Sequence, residues 1–453
     1  MTRIGVRSSL SVLLLLVATN AAATFTSTQS GNWSSASTWG GAGVPGSTDT
    51  ATVSSGHTVT LDTAVTVGSL TLSGTVTGSN SLTVTSGFTW NGGTLSGVGA
   101  TTINSGATMS VSYYGYIDGR PVTNNGTLSF PNGYYLYLMN NAVLTNAGLV
   151  DFASDGNIFL NSALGTTAIV NAGTIRKSAG SSASTVGLPV TTQNGAQFQA
   201  QVGTLYLAKV TSTGATFDVS SGAVMNFNTA DTRSFDSGSN FSGTGTMEFS
   251  QGTNTINATY GVTGTTKNSG ATTTINAIAS VGDVTVSGGT LTLNGASTVS
   301  IATLLMQNGT LNGTAPIALT GSAMTWTGGI VGGSGSFTIP GGTTLTLNGT
   351  CMFDSRAISN GGTININAVY LYLMNNAVLT KTGRSTIRAT RTSRSTASPA
   401  RPRSSTTTPS RRAAAPALRI SPSRSRPRAA RSSSCKPGRS ISTPPPPPMR
   451  PST

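Results

Sequence analysis

Tyr135 to Thr145 read YLYLMNNAVLT, and the same eleven residues return unchanged at Tyr370 to Thr380. An identity of that length at a distance of 235 residues marks a long tandem duplication, so repetition governs the chain. Within the phrase, Leu136 and Leu138 fall on one face of an extended segment and Tyr135 and Tyr137 on the other, and Asn140-Asn141 then turns the chain. It reads as one strand and one corner of a solenoid.

Working outward, the duplication covers more than the phrase. Thr89-Trp90-Asn91-Gly92-Gly93 returns as Thr325-Trp326-Thr327-Gly328-Gly329, and Gly99, Ile103 and Gly106 return as Gly335, Ile339 and Gly342. Between these anchors run short alternating segments broken by Gly or Asn-Gly, such as Gly126-Thr127-Leu128-Ser129-Phe130 and Gly289-Thr290-Leu291-Thr292-Leu293. Strands so short, with turns so frequent, suit the sides of a coil of about 20 residues. The expected fold is all-β, a right-handed parallel β-helix (solenoid) with an N-terminal β-rich cap. About 18 coils at about 4.8 Å each make a rod of about 85 Å. The expected organisation is a signal peptide at 1–23, a cap module at 24–64, a first β-helix module at 65–300, a truncated second module at 301–380 and a disordered basic tail at 381–453.

The tail shares no pattern with the sequence that follows the first copy of the phrase. Reading Ala400 to Ser410 one base out of frame, the degenerate code permits Gly, Thr, Thr, Ala, Ile, Val and Asn in succession, then Thr and Ile at Pro409 and Ser410. At the same offset the first copy has Gly165-Thr166-Thr167-Ala168-Ile169-Val170-Asn171, then Thr174-Ile175. Residues from about Lys381 onward therefore read as out-of-frame text. The stack then ends on an open strand edge, which is prone to self-association.

This changes the meaning of the charge. The formal net charge is +15, but 17 of the 26 Lys and Arg residues follow Thr380, where there is no Asp or Glu. Without leader and tail, seven basic residues face eleven acidic ones, and the body carries about −4. Nucleic-acid binding loses its main support, although a genuine basic tail would confer salt-sensitive DNA binding. Arg3 and Arg7 precede an apolar run from Leu10 to Ala18, and Ala21-Ala22-Ala23 offers small residues for cleavage, so the chain is expected to be exported and to start near Thr24. The run is too short to span a bilayer. Cys351 is the body's single cysteine, with Cys435 in the tail, so no disulfide framework is expected and Cys351 is expected to be buried.

Trp33, Trp39, Pro45-Gly46, Asp49, Gly56, Val59, Leu61-Asp62, Leu70, Leu72 and Gly74 stand in an order that resembles the start of the eight-glycine domain of bacterial surface proteins. The resemblance covers about 50 residues and implies an extracellular β-rich module opening a β-helix. Segments such as Val122-Thr123-Asn124-Asn125-Gly126-Thr127-Leu128 and Leu144-Thr145-Asn146-Ala147-Gly148 are similar in style to the β-helical passengers of adhesins, filamentous-haemagglutinin-like proteins and autotransporters. That resemblance implies a secreted or cell-surface structural protein, adhesive to a glycan or a surface protein. The autotransporter pattern is incomplete, because no C-terminal membrane barrel follows.

Chemistry-bearing residues are few, and no cofactor or metal is expected. His57 is the sole histidine and reads as structural, which rules out a histidine triad. β-Helix enzymes that cut acidic polysaccharides use grouped carboxylates; the nearest candidates are Asp151 with Asp155 and Asp231 with Asp236. Neither pair is expected to sit beside a matching basic cluster, although Arg233 lies between the second. A polysaccharide lyase or glycoside hydrolase is thus the alternative function, requiring one of these pairs to converge with another carboxylate in a groove. The candidate ligand-contact residues are aromatic: Tyr113, Tyr114, Tyr116, Tyr135 and Tyr137, with neighbouring Tyr134, and Tyr370 and Tyr372 in the second copy. Such rings stack on sugars or bury in a partner, or cover the rod's own corners. Asn125-Gly126-Thr127 and Asn348-Gly349-Thr350 match a glycan-acceptor pattern, but Asn-Gly is first a turn signal.

Overall fold

The computed structural model describes residues 22–161, 165–367, 370–382 and 386–389, the last four by backbone alone. The expected signal segment up to residue 21 and the tail beyond 389 lie outside the described residues. Strands of two to ten residues pair in parallel with the strand one coil away, and the molecule is a parallel β-solenoid. Alternation produces this directly. In Tyr135–Met139, Leu136 and Leu138 are fully buried while Tyr135 and Tyr137 are half-exposed, and Asn140 and Asn141 take left-handed φ values of 52° and 67°.

Each coil has three sides, stacked in three columns. In the first block, column one contains Thr101–Ile103, Val122–Asn124 and Val143–Asn146, column two contains Thr108–Val111, Thr127–Ser129 and Leu149–Phe152, and column three contains Gly115–Asp118, Tyr135–Met139 and Asn157–Leu160. Column three is continuous through 18 strands, from Gly31–Asn32 to Thr386–Ala389, and its 17 steps of about 4.8 Å give a rod of about 82 Å. Long strands such as Val65–Leu72, Leu82–Trp90, Thr253–Val262 and Thr272–Ser280 bend across columns one and two. Column two resumes at Val299–Ile301 as a five-strand sheet ending in Val378–Lys381. The ladder thus reaches Lys381 and resumes at 386–389, beyond the boundary expected at 380.

Residues 24–64 supply the first rungs of these ladders: Thr24–Thr26 pairs with Thr50–Val53, and Gly31–Asn32 with Thr58–Thr60. Between them the 3-10 turn Ala36–Trp39 brings Trp39 edge-on to Trp33 with ring centroids 4.8 Å apart, and Trp39 Nε1 donates to the Trp33 carbonyl at 2.8 Å.

The interior is a set of vertical files. Phe198, Phe217, Phe241 and Tyr260 stack at centroid spacings of 4.9, 4.7 and 5.5 Å. Asn124, Asn146 and Asn171 form a buried amide ladder, each Nδ2 donating to the next Oδ1 at 2.8 Å. Like residues stack because parallel in-register pairing sets side chains directly over one another.

The two copies of the duplication occupy different sides of the rod. Tyr135–Met139 lies in column three, whereas its counterpart Leu371–Met374 stacks on Cys351–Asp354 in column one. Column one is traced to that point from Thr232–Phe235 through Thr290–Leu293, Thr310–Asn312 and Gly329–Gly332. The second copy is therefore turned by one side relative to the first, yet its corners are reproduced. Trp90 and Trp326 are both buried, and each donates Nε1 to a nearby glycine carbonyl. Asn140 donates to Asp118 at 2.6 Å and Asn375 to Asp354 at 2.8 Å. Gly119 and Ser355 share the left-handed conformation at φ 66° and 63°.

Candidate functional site

The tyrosines singled out from sequence fall into two groups. Tyr113, Tyr114, Tyr116, Tyr134, Tyr135 and Tyr137 come together on the outside of column three. Tyr113 lies 4.9 Å from Tyr114 and 4.7 Å from Tyr134, centroid to centroid, and Tyr114 lies 5.6 Å from Tyr135. Tyr116 and Tyr137 are direct neighbours across one coil and stack at 5.3 Å with 14° between ring planes. Phe159 extends the file by a further coil, 6.4 Å from Tyr137 and 5.3 Å from Tyr135. Sequence reasoning missed Phe159; its signal is its place in Asn157–Leu160, the strand that pairs with Tyr135–Met139.

Small residues shape this face from above and below. Gly187 follows Phe159 in the file, and a Cβ there would meet the Phe159 ring at 2.8 Å; Gly92, at φ 98°, lies beside the Tyr113 ring. The result is a continuous patch of seven rings over three coils. Tyr113 is 45% exposed and the other rings are half-buried, so each gives one side to a neighbour and keeps an edge or face for solvent. Burial, helped by the neighbouring Tyr116, Tyr114 and Tyr135, pushes the Tyr137 phenol above its ordinary value, so it stays a hydrogen-bond donor. Tyr370 and Tyr372 do not join this patch. They lie 5.6 Å apart on the outside of column one, with Tyr370 55% exposed.

The carboxylates are engaged elsewhere. The expectation that Asp151 and Asp155 lack basic neighbours is corrected by the register: Arg176 stacks over Asp151 and grips it through two hydrogen bonds of 3.1 and 2.8 Å, and buried Lys177 reaches Asp155 at 2.8 Å. These partners are 25 and 22 residues away in sequence and one coil away in space. Asp231 accepts from Thr229 at 2.6 Å, and Asp236 accepts from Ser239 and the Gly214 amide. Arg233 points inward, to the Ala208 and Thr229 carbonyls. Among the described residues no group of three His, Cys, Asp or Glu side chains could hold a metal ion. His57 Nδ1 lies 2.9 Å from Ser27 Oγ, a structural contact between neighbouring coils. Cys351 is buried where the first copy has Gly115, and burial raises its thiol to about 11.

No protein-family model, curated protein or solved structure matches this chain. Among the described residues no helix is long and apolar enough to cross a membrane.

Proposed function

We propose that this chain is an exported structural β-helix, displayed at a cell surface, which adheres to a glycan through the tyrosine face of its first block. The observation that carries this reading is the ring patch itself. Seven aromatic side chains are gathered on the outside of one column, while the core files are filled separately by other aromatics and aliphatics. Half-exposed rings with phenol edges suit the C–H faces and hydroxyls of pyranoses. The apolar leader and the surface-protein style of the sequence support export. The lyase or hydrolase alternative has less support, because Asp151 and Asp155 are each neutralised by a cation and Asp231 and Asp236 are held by local hydrogen bonds.

The test is a binding screen of the full chain against immobilised polysaccharides, repeated with Tyr116→Ala/Tyr137→Ala. Losing two contact rings at about 1 kcal/mol or more each lowers affinity at least about tenfold, with folding unchanged by circular dichroism. Equal binding by the variant removes the tyrosine face from the account. Capture of a protein ligand in place of any glycan rejects the carbohydrate assignment.

A further inference from the structure

The second block does not repeat the tyrosine face. Where the first copy has Tyr113, Tyr114 and Tyr116, the aligned second copy has Gly349, Thr350 and Met352. Loss of the two corner rings leaves an open groove of about 500 Å³ on the outside of column one. Ile330 and Met352, one coil apart, form its floor, and Gln307, Asn308, Thr327 and Thr350 line it. Tyr372 is the next outward residue of the same file above Met352. Asn308 Oδ1 accepts its neighbour's amide, Gly309 N, at 2.9 Å, which leaves Nδ2 for a ligand. No charged side chain lines the groove.

We propose that this groove is a second saccharide site, independent of the tyrosine face and selective for an uncharged glycan chain. Its floor offers apolar surface to a pyranose face, and its rim offers amide and hydroxyl groups to sugar hydroxyls. A polyanionic glycan finds no cation there: Arg356, four residues after Met352 in the chain, is fully buried and donates to carbonyls inside the coil. The one-side turn of the second copy gives the two sites different directions. Nine ladder steps separate Tyr135–Met139 from Ala323–Trp326 at the groove's edge, about 43 Å along the rod. The molecule thereby holds two separate glycan chains, and gains avidity for a polymer surface over a single chain.

Three soluble neutral hexasaccharides, of β-1,4-glucan, β-1,3-glucan and β-1,4-mannan, serve as probes in calorimetric titration of the full chain at millimolar ligand. The key variant is Thr350→Tyr, which restores the residue of the first copy and fills the groove; its melting temperature checks folding. In the Tyr116→Ala/Tyr137→Ala background, at least one probe still binds, Thr350→Tyr weakens it at least about tenfold, and Asn308→Ala weakens it about threefold. The groove is rejected if the double tyrosine variant loses all binding, if Thr350→Tyr has no effect in that background, or if no probe binds. Unchanged binding in the tyrosine variant with loss in Thr350→Tyr rejects the tyrosine-face reading and leaves the groove standing.

Discussion

Arg120 has no carboxylate partner, yet it is fully buried. Its guanidinium is wrapped by the carbonyls of Gly78, Ser96, Asn80 and Ala100 at 2.9 to 3.2 Å, with Nε on Thr101 Oγ1 at 2.7 Å. Arg356 repeats the arrangement in the second copy with the carbonyls of Gly313, Ala315, Gly332, Gly335 and Ser336. The side chain acts as a cationic plug tying three coils together at a corner where several carbonyls point at one spot. Burial lowers both guanidinium groups to about 10, so both plugs remain charged at neutral pH. Arg120→Met keeps the bulk but strands those carbonyls, and it is expected to cost about 3–5 kcal/mol in chemical denaturation. A loss below about 1 kcal/mol would show that water serves the carbonyls equally well. These plugs were not legible in the sequence, because an arginine among Gly, Ser and Thr reads as surface charge until the coil closes around it.

Among the elements, the amide ladder shows what each rung asks of the next. Asn124 is followed by Asn146 and Asn171, so each buried amide finds an acceptor one coil up. The second copy starts the same ladder with Asn360, but the residue stacked on it is Lys381, and Asn360 Nδ2 is buried without a hydrogen-bond partner. Lys381→Asn is expected to satisfy that donor and raise stability by about 1–2 kcal/mol, read as a higher denaturation midpoint at unchanged slope. No gain would mean that the last rung is too loose to hold an amide pair. Identical residues fare differently in the two places: Leu136, Leu138 and Leu144 are fully buried, while Leu371, Leu373 and Leu379 are only partly so. Alternation and repetition made the strands, their inward faces and the turn at the Asn pair legible from sequence. The column of each strand was not legible, because coil length varies. Val76 stacks on Val59, 17 residues before it, and Val186 on Ile158, 28 before it. The same uncertainty concealed the Asp151–Arg176 pair and the place of Phe159 in the ring patch, since both depend on knowing which residue lies one coil away.

At the scale of the whole molecule, stability is a sum over neighbouring coils, and separate regions answer separately to conditions. The first coils lean on two carboxylates. Asp49 accepts from the Gly46 and Ala23 amides, and Asp62 accepts from the Ser34 hydroxyl and amide. These bonds lower both groups below the ordinary value of 3.8. A depressed folded value means that the stabilisation is present above 3.8 and is lost as pH falls through the lower, folded value. Hydrogen exchange is therefore expected to rise in residues 24–62 in acid below pH 3.8, before the uncharged stretch 284–353 responds. Simultaneous loosening everywhere would contradict a modular stack.

Each side of a coil rests on the same side of the next. Paired cysteine substitutions in the full chain test it, followed by mild oxidation and mass mapping of the cross-links. Thr123 stacks under Thr145, and Thr346 under Asn365, with all four half-exposed and outward. At a spacing of about 4.8 Å each pair lies within disulfide reach. Thr102 and Thr145 are two coils apart, about 9.6 Å and beyond reach. Thr123→Cys/Thr145→Cys and Thr346→Cys/Asn365→Cys are expected to close rapidly, with the Thr102→Cys/Thr145→Cys control staying reduced. Failure of both stacked pairs to close, or equal closure of the control, contradicts this stacking.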